Sequence, residues 1–254
     1  MRIVIIGSGN AANVLGRKII AAGHEVVQVA GRNEKACRAL AALLNCPFTI
    51  NWNFIDAHAD LYIVTVTDTA LENINIQLRL DKKLVVHTAG SVTREVLKNV
   101  STNYGVLYPL QSLRKERSDL PEIPFLVDAN TPDNITLIKD FAETLSNKVQ
   151  VANDEQRKKI HLAAVLVNNF TNHLYALAEE FCVNERVDFK LLYPLIRETV
   201  ERIENFSPAD LQTGPAVRGD DATIEMHLQL LKGYPQLMKL YEILTDSIET
   251  FYKK

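Results

Sequence analysis

Short unbroken apolar runs punctuate the first half of the chain, and long stretches of helical periodicity fill the second. Ile3 to Ile6, Glu25 to Ala30 (EVVQVA), Leu61 to Val66 (LYIVTV) and Leu84 to Thr88 (LVVHT) read as strands that are apolar on both faces. That pattern belongs to a sheet covered on both sides. Between these runs, Val14 to Ala22 (closed by Gly23), Glu34 to Leu44 and the stretch after Asp68 space their apolar residues as helices do. Strands alternating with helices predict the α/β class, with a doubly wound parallel sheet. Shorter strands are predicted at Gly105 to Tyr108 and Phe125 to Asp128, then a helix capped by Thr131 with Pro132 in its first turn. From Asp154 onward strand-like runs vanish, so the chain divides into residues 1–152 and an all-helical domain over 153–254. The first helix of that domain, Glu155 to Cys182, is apolar around most of its circumference (Ile160, Ala163, Val167, Phe170, Leu174, Leu177) and is expected to be buried on most sides.

Composition narrows the class. Of 254 residues, 47% are hydrophobic, enough for two cores without disulfide staples. The net charge of -3 and the lack of any basic run interleaved with aromatics argue against a nucleic-acid partner. No apolar run is long enough to span a bilayer, and Met1-Arg2 leads directly into a strand, so no membrane partner and a cytoplasmic location are expected. Cys37, Cys46 and Cys182 show no CxxC spacing and an odd count, which predicts reduced structural thiols and no metal site.

The first apolar run passes straight into Gly7-Ser8-Gly9-Asn10-Ala11-Ala12 and then into the first helix. A glycine at the strand end permits the tight turn, and a second removes the side chain that would keep a pyrophosphate from the backbone. Bare amides at the helix start then face that phosphate. The turn therefore reads as a dinucleotide site, with Ala12 in the third position, which serves helix packing. At the end of the second strand an NAD site carries an acidic residue for the ribose hydroxyls. Here the chain has Gly31-Arg32-Asn33, and a guanidinium there suits a 2′-phosphate, favouring NADP over NAD. Thr65-Val66-Thr67 and His87-Thr88-Ala89 end two further strands, at the sheet edge where open parallel sheets bind ligands. Asp68 and Ser91 read equally well as caps of the following helices, and Tyr108-Pro109-Leu110-Gln111-Ser112 either as a polar strand end or as a plain proline turn.

In the long helix His161, Asn168, Asn172 and Tyr175 fall on one polar stripe, while Asn169 and His173 form a second pair rotated away from it. Each alone reads as a satisfied hydrogen bond in a core or interface; together they suggest a stripe facing a cleft. Thr213-Gly214-Pro215-Ala216-Val217-Arg218-Gly219-Asp220 is a compact loop, with Asp220 placed to cap the next helix and Arg218 offering a cation at a fixed place.

These motifs (GSGNAA, AGRN, HTAGS, YPLQSL, IHLAAVLVNNF and TGPAVRGD) resemble the Rossmann-like NADP oxidoreductases with a C-terminal domain of unknown function. That family is similar to pyrroline-5-carboxylate reductases, deazaflavin-dependent NADP oxidoreductases and beta-hydroxyacid dehydrogenases. The resemblance spans essentially the whole chain. It implies a Rossmann domain followed by a helical domain like that of 6-phosphogluconate dehydrogenase, dimerisation through the helical domain, and a small-molecule substrate held in the interdomain cleft. Beta-hydroxyacid dehydrogenases set a catalytic lysine one turn before an asparagine, but Ala164 and Val165 occupy that place before Asn168, and Lys159 lies nine residues away. The lysine mechanism is therefore not carried over. A small polar carbonyl, hydroxyl or imine substrate is expected, with His161 as proton carrier, Asn168 orienting an oxygen and Arg218 holding an anionic group. The contrasting expectation is an NADP-binding sensor without turnover.

Overall fold

The computed structural model describes residues 1–116 and 119–253. Eight strands form one sheet: β1 (Arg2–Ile6), β2 (Glu25–Ala30), β3 (Phe48–Thr49), β4 (Leu61–Val64), β5 (Asp81–His87), β6 (Ser101–Pro109), β7 (Phe125–Ala129) and β8 (Val149–Val151). The helices are α1 (Asn10–Ala21), α2 (Glu34–Leu44), α3 (Asp68–Glu72), α4 (Ile74–Gln77), α5 (Pro132–Leu145) and α6 (Asp154–Ala164), then α7 (Thr171–Asn184), α8 (Tyr193–Ile203), α9 (Pro215–Arg218), α10 (Asp221–Leu230) and α11 (Pro235–Tyr252).

The strand order is β3-β2-β1-β4-β5-β6-β7-β8, so the chain winds outward from β1 in one direction and, after β4, in the other. The reversal lies between β1 and β4, which puts the glycine turn after β1 beside Thr65 to Thr67 after β4. Alternation along β1 explains how both faces are covered. Ile3 and Ile5 join the core under α1, α2 and α5, whereas Val4 and Ile6 join the core on the opposite face with Leu71, Ile74 and Leu97.

The sheet departs from the all-parallel expectation at one edge. β7 runs antiparallel to β6, and β8 is parallel to β7. The segment between Pro109 and Phe125 supplies no crossover helix among its described residues, and without a crossover the chain returns in the opposite direction. The two- and three-residue strands β3 and β8 are too short to show a period in sequence.

Two compact units are distinguished, Met1–Asn169 and Phe170–Lys254. The boundary falls later than residue 152 because α6 belongs with the sheet: Ile160 packs on the small core of Val106, Tyr108, Leu126 and Ala152. The predicted helix Glu155 to Cys182 is also interrupted, since Val165–Phe170 adopt π-helical geometry between α6 and α7. Its expected burial is corrected as well. Leu162, Val167 and Phe170 are 62%, 74% and 57% exposed in the single chain, because an apolar circumference demands cover without saying which surface supplies it.

The second unit is all helical. Phe181 packs edge-on against Tyr234, and Tyr234 donates to Glu185 at 2.6 Å. His227 pairs with the Tyr241 hydroxyl at 2.9 Å, and Asp220 caps α10 as predicted, accepting from the Thr223 amide at 3.1 Å. No described helix is long and apolar enough to cross a membrane.

Candidate active site

The two glycines of the turn serve different ends. Gly7 has φ +129°, and a Cβ there would lie 2.3 Å from Thr65 Oγ1 and 2.7 Å from the Thr65 carbonyl oxygen, so only glycine lets β1 close against β4. A Cβ on Gly9 would meet nothing within 4 Å, which leaves open space at the start of α1. No side chain caps that helix, so its first amides remain available to an anion. Asn10 is exposed and Ala11 half-buried, whereas Ala12 is fully buried and packs α1 onto the sheet. Ser8 is half-buried beside Cys37, and Gly31 makes room for the same thiol, since a Cβ on Gly31 would be 2.7 Å from Cys37 Sγ.

Arg32 is exposed and has no ion-pair partner among the described residues. It opens onto a cleft of 270 Å³ together with Trp52, Val66, Thr67, Asn73 and Ile74. Asn33 next to it caps α2, accepting from the Ala36 amide at 3.0 Å.

Several strand-end residues have structural partners. Thr65 donates to the Ile6 carbonyl at 3.1 Å and Thr88 to the Val64 carbonyl at 3.4 Å. Thr67 caps α3, which corrects the alternative that Asp68 does so. Asp68 instead accepts from the Ser91 hydroxyl at 2.5 Å, so Ser91 is not a cap either. Ala89 is buried and donates its amide to His87 Nδ1 at 3.2 Å. His87 is wholly enclosed; burial first, and the Arg157 charge second, pull its pKa to about 4. It is therefore neutral near pH 7 and a poor proton donor. Because its native pKa lies below the ordinary 6.5, the unfolded chain binds the proton more readily. Stability is therefore full above pH 6.5 and is expected to decline as pH falls toward 4. Thermal melts across that window test this: a folded His87→Gln variant should lose that part of the decline, and an identical profile would contradict it.

The polar strand end after β6 and the stripe on α6 meet. Tyr108 Oη lies 2.9 Å from His161 Nδ1, with the rings edge to face at a centroid distance of 5.8 Å. Asn168 donates from Nδ2 to Ser112 Oγ at 2.7 Å. The π geometry of Val165–Phe170 includes Asn168, and such bulges occur often at functional sites. Gly90 completes the arrangement: a Cβ there would lie 2.6 Å from His161 Nδ1 and 2.9 Å from Tyr108 Cζ, so the loop after β5 touches both rings. Tyr108, Ser112, His161 and Asn168 line a pocket of 530 Å³ with Leu110, Ile160 and Val167. Burial pushes the Tyr108 phenol above its ordinary range; the Arg157 charge opposes that shift and Asp68 adds to it.

Residues 2–90 match the family model for NADP oxidoreductase, coenzyme F420-dependent, and residues 123–248 match the domain of unknown function (DUF2520). A solved structure from Bacteroides fragilis, named by inference as an NADP oxidoreductase, is 40% identical over 98% of each chain, with a TM-score of 0.91. The chain belongs to this NADP oxidoreductase family. A 1-pyrroline-5-carboxylate reductase from Streptococcus pyogenes is 14% identical over 98% of each chain, with a TM-score of 0.66. An imine reductase from Myxococcus stipitatus in complex with NADP+ is 15% identical over 100% of this chain and 93% of its own, with a TM-score of 0.63. Both share the fold. A search of the curated proteins gives no match.

In this NADP oxidoreductase the residues present suit a dinucleotide: an open glycine turn, a helix start with no side-chain cap and, beside a cleft, a guanidinium with no ion-pair partner among the described residues. No cluster that could hold a metal ion occurs among the described residues. Of the residues marked in the sequence, His161 and Asn168 come together with Tyr108 and Ser112. Asn172, Tyr175 and Arg218 belong to the second unit, Arg218 exposed at the end of α9. Two residues carried no sequence signal. Trp52 gains its place only because the short turn after β3 folds beside Arg32, and Arg157 looked like one more charge on a solvated helix start yet is wholly buried.

Proposed function

We propose that the chain is an NADPH-linked reductase, or in reverse a dehydrogenase, acting on a small polar carbonyl, hydroxyl or imine compound. The observation that carries this reading is the Tyr108–His161 hydrogen bond facing the 530 Å³ pocket. When bound, NADPH supplies the hydride. Gly7, Ser8 and Gly9 with the first amides of α1 hold the pyrophosphate, and Arg32 holds the 2′-phosphate. The strand ends at Thr65 to Thr67 and His87 to Ala89 border the remainder of the cofactor. Tyr108 gives its proton to the substrate heteroatom, His161 returns one to the phenol oxygen, and Asn168, pinned through Ser112, orients the substrate. Holding an anionic substrate group remains the role proposed for Arg218, resting on the TGPAVRGD loop alone.

The helical unit is proposed to be a substrate and dimerisation domain like that of 6-phosphogluconate dehydrogenase. Val183, Leu191, Leu195 and Phe206 are all exposed in the single chain, more apolar surface than a monomer ordinarily leaves uncovered, and a second copy is the commonest cover. Light scattering should give twice the chain mass at micromolar concentration, and a monomer would contradict the dimer. Free thiols at Cys37, Cys46 and Cys182 support a reducing compartment, the cytoplasm.

A panel of ketones, aldehydes and cyclic imines, followed by loss of the reduced nicotinamide absorbance, tests the reading. Turnover of one class supports it. NADPH binding with no turnover across the panel would favour the sensor.

A further inference from the structure

Arg157 is the largest side chain with no exposure at all, and arginine is almost never so enclosed unless fully paired. It is not fully paired. Nη2 donates to the Val92 carbonyl at 2.5 Å and to Asp154 Oδ1 at 2.7 Å, whereas Nε and Nη1 are buried without a partner. Asp154 is shared, since it also accepts from the Thr93 hydroxyl and from the Arg94 amide at 3.2 Å. A cation in this position has lost its water and recovered only part of its hydrogen bonding, an expense that packing alone does not require.

Its place in the fold is specific. Arg157 lies one turn before His161 on the same face of α6. Through Val92 it binds the loop after β5, two residues beyond the Gly90 that touches Tyr108 and His161. One side chain thus joins the helix that carries His161 to the loop that packs on both rings. We infer that Arg157 is the positioning residue of the Tyr108–His161 pair, fixing the loop after β5 to α6 and setting a buried positive charge one turn from His161 on the same helix face. This rests on the reductive reading of the same site.

The chemistry balances as follows. Hydride adds to the substrate carbon, the C=N or C=O π pair moves to the heteroatom, and that atom takes the Tyr108 proton. The O–H bonding pair stays on the Tyr108 oxygen, which is reprotonated through His161. Arg157 and its partner Asp154 are on α6, as is His161, the hydrogen-bond partner of that oxygen; Asp68 begins α3, and His87, at the end of β5, is neutral. Arg157 acts to ease ionisation of Tyr108, against burial and Asp68.

The test needs no substrate. Full-length protein is labelled with 3-fluorotyrosine, which brings phenol titration into a range where the chain stays folded, and the Tyr108 fluorine resonance is assigned by its loss in Tyr108→Phe. Arg157→Met should move the Tyr108 titration upward by about one pH unit, the scale of one lost neighbouring charge. The paired replacement Arg157→Met with Asp154→Leu removes both charges, and apolar groups of similar volume commonly replace a buried ion pair without unfolding. It should give an upward shift smaller than that of Arg157→Met, because a carboxylate that disfavours the phenolate leaves with the cation, and Arg157→Lys should keep the titration near its wild-type position. Once a substrate is known, kcat should fall about tenfold with KM for NADPH unchanged, and the pH profile should move with the resonance. An unmoved Tyr108 titration in a folded variant lacking Arg157 would overturn the inference and reduce the residue to a strut. If Tyr108→Phe kept full turnover, the acid role would fail while the charge coupling could still be read, so the two claims fail separately.

Discussion

Replacing Tyr108 by phenylalanine is expected to leave NADPH affinity unchanged and to lower turnover by about 10²- to 10⁴-fold, the range for a positioned acid-base group. The substitution removes one oxygen from a ring that is 9% exposed and keeps its packing with Val106 and Leu126. Its effect should therefore fall on chemistry and not on folding. His161→Ala should also lose turnover, because the phenol would keep its proton-donating oxygen but lose the partner at 2.9 Å that returns the proton. His87, neutral and enclosed, cannot take over. Steady-state kinetics with cofactor binding measured separately decides the matter. Full turnover in Tyr108→Phe would shift the acid elsewhere.

Arg32→Ala is expected to weaken NADPH binding about tenfold to a hundredfold while leaving NADH unaffected. The reasoning is that a charge-assisted contact to the 2′-phosphate contributes about 1.5–3 kcal/mol, and each 1.4 kcal/mol is about a factor of ten. Arg32 is free of any ion pair among the described residues, so nothing else in the chain has to be broken for it to meet the phosphate. The chain carries its own probe, because Trp52 is its single tryptophan and lines the same cleft. Titrating its fluorescence with each cofactor measures both affinities. Equal affinity for the two in the wild type, or an unselective loss in Arg32→Ala, would remove the basis for NADP preference.

The glycine turn and the central strands were legible because both express local rules. Buried parallel strands read as apolar runs, and a glycine with φ +129° against Thr65 admits no other residue. The cap of α5 at Thr131, the helix Glu34–Leu44 and the cap at Asp220 were likewise visible. What stayed hidden depends on contacts distant in sequence. Tyr108 and His161 are 53 residues apart, and their meeting depends on where β6 ends against α6. Thr67, rather than Asp68, caps α3 because the helix begins one residue earlier than the cap reading required. Arg157 stands in a run of charged residues, DEQRKK, that looks solvated throughout, and only the packing of α6 onto the sheet buries it. Leu162 and Val167 show the converse: they are apolar positions on a helical period, yet both are exposed in the single chain.

The most direct measurement follows deuterium from NADPH labelled at the nicotinamide C4 into a carbonyl or imine substrate found in the panel. The account predicts stereospecific transfer to the substrate carbon by the wild type, and a loss of at least about a hundredfold in Tyr108→Phe with cofactor binding retained. Tight NADPH binding with no deuterium transferred to any carbonyl or imine would contradict it.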